Sequence, residues 1–334
     1  MDPELNQSDH CKNSSYVCLE RSGSGKVDVI IYTCATVIIL LTVFGNLLVI
    51  ISVCHFKQLH TPTNLLILSL AASDFLVGFF VMPFHSVLLI ESCWLFGFHL
   101  CNFFSTVSVQ VTTLSVHNVT LIAVDRYFAL SNPFLYSKAV SLNVMIFVVS
   151  LFWITSIFYS FAILYTGGLF HERIQCSGEC FINIAGEWPI VDLILVLVLP
   201  CSVIIVLYVR VFAIVRRHAN AIRRAKKQQI TENTKYTTDS LTSEIKAAKA
   251  LTILVLVFLV CLVPFYLYML IAGSISITLL YKVANNIATL FYLNSSLNPI
   301  IYAFSYSWFK KSIKLILSCQ IFNTDSSLMN VHLN

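Results

Sequence analysis

Seven stretches of the chain are long and apolar enough to cross a bilayer as helices, each matching the roughly 20 residues that about 30 Å of hydrocarbon requires. They cover residues 27–53, 62–90, 100–130, 144–166, 188–215, 247–272 and 283–302. The composition follows: 57% of the 334 residues are hydrophobic and only 11% charged, with a mean hydropathy of +0.82. The expected fold is an all-α membrane protein, a seven-transmembrane helix bundle over 27–302. An extracellular tail, 1–26, precedes it. A short amphipathic eighth helix and a cytoplasmic tail, 303–334, follow.

Basic residues set the orientation. Of the 21 Lys and Arg, only Lys12, Arg21, Lys26, Arg173 and Lys282 fall on one side of the expected membrane, and the other 16 fall on the opposite side. Positive charge is retained in the cytoplasm, so the N-terminus is expected outside and the C-terminus inside. The net charge of +5 then reflects topology and gives no reason to expect nucleic acid as a partner. The first 26 residues show no cleavable signal, so the first span is expected to act as the anchor. Sequons at Asn6 and Asn13 lie in the outer tail and are expected to carry glycans; those at Asn118 and Asn294 lie within spans and read as chance matches.

Six of the 11 cysteines, Cys11, Cys18, Cys93, Cys101, Cys176 and Cys180, map to the oxidising outer face, where disulfides persist. Sequence alone does not choose their pairing. Cys319, just beyond the last amphipathic stretch, is a palmitoylation candidate. In "SYSWFKKSIKLILS", Trp308, Phe309, Ile313, Ile316 and Leu317 fall on one helical face and Lys310, Lys311 and Lys314 on another, a pattern suited to a helix lying in the membrane interface. The longest loop, about 219–243, is basic and polar and reads as a solvated cytoplasmic segment.

No phosphate loop, HExxH, GxSxG or intracellular Cys/His cluster is present, so nothing supports an enzyme. There is no internal repeat and no paired Gly/Pro-broken span, which counts against a secondary transporter. Polar residues inside the spans are the informative feature, since each is costly there and needs a partner. They form three layers. In the middle, Asp74 can face Ser115, Asn294 and Asn298, with Asn46 close by; this is either a site for Na+ and water or a polar plug between helices. At the cytoplasmic end, Asp125, Arg126 and Tyr127 spell DRY, and Glu244 opens the sixth span. Arg126 with both acids would clasp the third and sixth spans. Near the outer surface stands Asp192.

With these layers in view the sequence resembles a rhodopsin-like G-protein-coupled receptor along essentially its whole length. The resemblance rests on Gly45 and Asn46, "LAASD" ending at Asp74, Trp94, Cys101, DRY, Trp153, Pro200, Phe258, Pro264 and "NPIIY" from Asn298 to Tyr302. "NSSLNPIIYAFSYSWF", "HFKQLHTPTN", "SCW" and "CSGEC" are similar to the trace amine-associated receptors, and to fish olfactory members in particular. The resemblance implies a Cys101–Cys180 disulfide, with Cys11 paired to Cys176 and Cys18 to Cys93. It also implies a stimulatory G protein, cyclic AMP, and an olfactory setting in the plasma membrane.

Amine receptors of this kind carry their ammonium-binding acid seven residues after the outer cysteine of the third span, and here that position is Ser108. Asp192 is the alternative anchor. It lies eight residues before Pro200, about 12 Å along a helix, which places it a turn or two below the outer surface. A carboxylate in a partly dry cavity regains its charged state from a cationic partner, and an alkylammonium supplies one. Phe104, Val109, Phe181, Val196, Phe265, Tyr266, Met269 and Tyr292 are the expected apolar and aromatic walls, with Ser108 and Thr112 as modest polar groups. One acid implies a monoamine, and Val196 argues against a catechol. Against this stands a surface role for Asp192, paired with Arg173 or Lys282. Leu262 replaces the usual tryptophan of the sixth span, leaving Phe258 and the Pro264 kink to transmit motion. The competing readings are a neurotransmitter amine receptor, disfavoured by Ser108, an opsin, disfavoured by Tyr292 at the retinal lysine position, and an ion-coupled transporter using Asp74 and Asp192.

Overall fold

The computed structural model describes residues 25–166, 180, 188–227, 252–268, 277–323 and 326–331, with side chains throughout except at 25, 188–189, 218–227 and 277–285. The first span is the helix Gly25–His55. The second, Pro62–Glu91, and the third, Gly97–Ser131, follow. The fourth is Leu142–Thr166, the fifth Ile190–Arg217 and the sixth Thr252–Tyr268. The seventh is Ile277–Ser305 with Pro299 inside it. Among the described residues the first five are long and apolar enough to cross a membrane. The short helix Pro133–Ala139 links the third and fourth spans, and the amphipathic helix Ser307–Leu317 follows the seventh.

The bundle is organised inside out relative to a water-soluble protein. Large apolar side chains such as Val29, Phe147, Phe158, Val209 and Phe212 are exposed, while Asn46, Ser73, Asp74, Ser105, Asn294 and Asn298 are buried. Lipid is as apolar as the outer faces, so the polar groups hold the helices to one another. Burial also orders the spans: over half of the second and third lies inside, 61% and 56%, against 17% of the fourth, so the third is central and the fourth peripheral.

The second and fifth spans each contain one widened π-turn, at Val77–Val81 and Leu193–Val198. Both end two residues before a proline, Pro83 and Pro200. Proline cannot donate to the carbonyl four residues back and its ring collides with it; the wider turn relieves the same conflict twice. Such turns are frequent at functional sites, and one of these begins directly after Asp192. Where the first span meets the seventh, a Cβ on Gly45 would lie 2.9 Å from Pro299 Cβ and Cγ, so only glycine permits this approach.

The helix ends follow local chemistry. Thr61 Oγ1 accepts from the Asn64 N–H at 3.2 Å and Pro62 opens the second span, the arrangement that satisfies orphan first-turn donors. Asn132 Oδ1 caps Pro133–Ala139 through the Leu135 N–H at 3.1 Å. Between the second and third spans, Trp94 is buried, with its indole N–H donating to the Gly97 carbonyl at 2.8 Å. The amphipathic helix buries Trp308 and Phe309 against the bundle and leaves Leu317 exposed. Cys319 follows it, exposed.

Candidate ligand site and the polar layers beneath it

The end of the bundle bearing Asp192 is called outer here, and the end bearing Asp125 inner. The Cys101–Cys180 disulfide closes the outer end, with Cα atoms 5.7 Å apart, and both cysteines pack with Trp94 and Phe104. Cys93 is also disulfide-bonded; its partner, like Cys11, Cys18 and Cys176, lies outside the described residues. So do Asn6, Asn13, Phe181, Glu244, Met269 and Arg173, and the side chain of Lys282.

Asp192 is half-buried at the head of the fifth-span π-turn. The Tyr159 hydroxyl of the fourth span donates to its Oδ1 at 2.6 Å, and the Tyr266 hydroxyl of the sixth span is a second hydrogen-bonding neighbour. Among the described residues the carboxylate has no cationic partner. An ionised carboxylate accepts about four hydrogen bonds, so two phenols leave acceptor capacity unused. Val196 and Tyr266 are buried in one apolar cluster, with Phe265 and Tyr292 packed against it. Phe104 lies in a second cluster, and Tyr292 touches that one too. Ser108 is buried on the third span, with Val109 and Thr112 half-buried beside it. Tyr266 was expected as a wall and turns out to contact the acid itself. Tyr159 was not expected, because a tyrosine in an apolar run carries no sign of its facing.

The middle layer corrects the expected neighbours of Asp74. Its carboxylate is fully buried and accepts from Ser295 Oγ at 2.8 Å and Asn298 Nδ2 at 2.6 Å. Neither Ser115 nor Asn294 bonds to it: Ser115 Oγ reaches Ser73 Oγ at 3.4 Å, one residue away from the acid and hence on an adjacent face. Ser295 and Asn298 are three residues apart and share a helical face. Asn46 joins through the Ser295 carbonyl at 3.0 Å, and Thr42 meets Ser296 at 2.6 Å. Three amide oxygens in this layer, Asn46 Oδ1, Asn294 Oδ1 and Asn298 Oδ1, make no hydrogen bond among the described residues, nor does the hydroxyl of Tyr302. Below, Phe258 and Leu262 are fully buried with Tyr302 in the apolar core. Asn118 is also buried and accepts from Ser69, which in turn accepts from the Trp153 indole at 3.0 Å.

At the inner end Arg126 pairs with Asp125 as expected, and Asp125 does more than hold the arginine. Its Oδ2 accepts from Thr63 Oγ1 at 2.8 Å and its Oδ1 from the Tyr136 hydroxyl at 2.6 Å, which ties the third span to the second and to the short linking helix. Burial and the neighbouring carboxylate push the Tyr136 phenol up to about 12, so it stays a donor across the physiological range. Thr63 and Tyr136 were missed because neither belongs to the tripeptide.

The family model described as 7 transmembrane receptor (rhodopsin family) matches residues 45–302. The chain is 35% identical over 320 residues to trace amine-associated receptor 13c of Danio rerio, covering 94% of this chain and 93% of that one. It is 39% identical over 300 residues to trace amine-associated receptor 6 of Rattus norvegicus, covering 87% and 86%. Against trace amine-associated receptor 9 of Mus musculus it is 37% identical over 327 residues, covering 96% and 93%. Seven helices with a polar interior, an outer disulfide and an Asp125–Arg126 pair at the inner end, matched over most of their length by these relatives, place the chain in the rhodopsin-like G-protein-coupled receptors, as a member of the trace amine-associated receptor family.

Proposed function

We propose that this receptor is switched by small monoamines whose ammonium is bound by Asp192, and that it couples to a stimulatory G protein, raising cyclic AMP, in the olfactory plasma membrane. One observation carries the reading: a half-buried carboxylate beside aromatic side chains at the outer end, held by two phenols and lacking a cation among the described residues. Charge-assisted hydrogen bonds are about twice as strong as neutral ones, and Tyr266, Phe265 and Tyr292 offer ring faces to a cation or its alkyl chain. The amine activates the receptor to the extent that it binds the open-inner-face state more tightly than the closed one. The relatives' name supports an amine as the ligand class.

The middle layer suits Na+. Asp74 and the three unpaired amide oxygens are the hard oxygen donors that such a cation takes,. Bound there, Na+ would supply a positive charge against a buried carboxylate, while Asn298 and Ser295 hold that carboxylate in place.

The deciding experiment compares wild type with Asp192→Asn, at equal surface expression, against a panel of volatile amines with cyclic AMP as readout. Loss of response in the variant is expected, and an unchanged response sinks the anchor. Nucleotide exchange on an added G protein, without amine uptake or ion flux, separates a receptor from a transporter.

A further inference from the structure

Gln110 lies within the third span and belongs to none of the three polar layers. Its half-buried carboxamide reaches the fourth span with both of its ends. Nε2 donates to Ser156 Oγ at 2.9 Å, and Oε1 accepts from Ser160 Oγ at 2.9 Å. Both serines are buried. The amide's orientation follows from theirs: the Ser156 hydroxyl donates to the Trp153 carbonyl at 2.9 Å, which leaves its lone pairs for an N–H. The Ser160 hydrogen is shared between the amide and the Ser156 carbonyl, also at 2.9 Å. An amide in apolar surroundings costs free energy when either end is left unmade, so this pair of bonds is directional and is satisfied at one rotation of the fourth span.

Apolar packing does little to choose that rotation. Only 17% of the fourth span lies inside, and Phe147, Ile154, Phe158 and Phe161 are exposed. Lipid is as apolar as the bundle, so such side chains gain little by turning inward. A further tie, the Trp153 indole on Ser69 Oγ at 3.0 Å, holds the span three residues before Ser156. Tyr159 falls between the two serines, three residues after one and directly before the other. Its hydroxyl donates to Asp192 Oδ1 at 2.6 Å. Hydrogen bonds weaken steeply as distance and angle depart from ideal, and a small turn of the helix, magnified by the length of a tyrosine side chain, takes that hydroxyl off the carboxylate.

We propose that Gln110 is a positioning residue for the amine anchor: by tying Ser156 and Ser160 to the third span it fixes the rotation of the fourth, and so holds the Tyr159 hydroxyl on Asp192. The proposal rests on Asp192 as the site of the ammonium. Gln110 touches neither the carboxylate nor the amine in this scheme, and its effect reaches both through one phenol. It therefore sets how strongly every monoamine binds, and not which of them is preferred.

The test uses the full-length purified receptor and a series of linear alkylamines, with affinity read from thermal stabilisation. Gln110→Met keeps the length of the side chain, removes both amide bonds, and is expected to weaken every member roughly 3- to 10-fold. In a Tyr159→Phe background the same change should cost less than about 2-fold, because the phenol through which it acts is already gone. A Gln110→Met receptor that binds like wild type, or losses that simply add in the double variant, overturns the proposal. Ser156→Ala, which removes a single hydroxyl, carries the same expectations should Gln110→Met fail to fold. A further readout needs no amine: in receptor labelled with fluorotyrosine, the fluorine resonance that Tyr159→Phe removes is expected to move in Gln110→Met and in Asp192→Asn. A resonance unmoved by Gln110→Met overturns the positioning role. An Asp192→Asn variant that binds the amines unchanged overturns the anchor, and the Tyr159 resonance then still judges what Gln110 does.

Discussion

Of the four aspartates within the spans of this receptor, Asp28, Asp74, Asp125 and Asp192, the second and the last stand in opposite settings. Asp74 is fully buried, with both carboxylate oxygens bonded to protein donors from the seventh span. Asp192 is half-buried, bonded to two phenols, and without a cation among the described residues. A buried polar group satisfied from neighbouring helices locks those helices together. One satisfied only in part, at the edge of a cavity, has capacity left for something that arrives. On the proposed reading the same side chain is a structural and ion-sensing element at one depth and a ligand anchor at another.

The contrast predicts which assay each site moves. Asp192→Asn removes one half of a desolvated ion pair with the amine, a loss of about 3 kcal/mol or roughly 100-fold in affinity, and leaves the melting temperature near wild type. Amine-concentration curves and thermal unfolding of the purified receptor check both halves. A matching loss of amine affinity in Asp74→Asn would erase the distinction between the two acids. Ser295→Ala should do the reverse. It strips a donor from a buried carboxylate, at about 2 kcal/mol of stability, and is expected to lower the melting temperature with little change in which amines bind.

Tyr159→Phe sharpens the outer half. The phenol supports Asp192 from the fourth span, so its removal should weaken every monoamine by about 1.5 kcal/mol, roughly 10-fold, with unchanged rank order among them. A change in rank order would instead mean that Tyr159 touches the variable part of the ligand.

Much of this comparison was legible before any coordinates. Charged and amide residues in apolar runs announce themselves, so Asp74, Asn298, Asp125, Arg126 and Asp192 could be placed in layers by position alone. Their hydroxyl partners could not. Ser295, Thr63, Tyr136 and Tyr159 are common in helices that face lipid, loop or core, and their facing depends on helix rotation. The Asp74 layer shows how fine that dependence is: Ser295 bonds the acid, and Asn294, one residue earlier, does not. The π-turns before Pro83 and Pro200 shift that rotation further, since a single wide turn moves every later side chain around the axis. Neither proline was read as a kink from the sequence, and how each conflict is relieved is settled by packing with neighbouring spans.

The smallest expected effect concerns the deeper aspartate and its ion. If Na+ sits among Asp74, Asn46, Asn294 and Asn298, it favours the state in which those oxygens stay together, and linkage then requires that Na+ and an activating amine weaken one another equally. At a coupling of about 1 kcal/mol, raising Na+ at constant ionic strength should lower amine affinity about 5-fold in wild type. Potassium as the replacement cation keeps general screening fixed without offering the outer site another organic ammonium, which matters because that site is itself charged. Asp74→Asn should abolish the Na+ dependence, and Asp192→Asn should keep it for whatever residual binding remains. Equal Na+ sensitivity in the wild type and Asp74→Asn would mean that the cation acts elsewhere, by competing with the ammonium at Asp192, and the functional separation of the two acids would then fail.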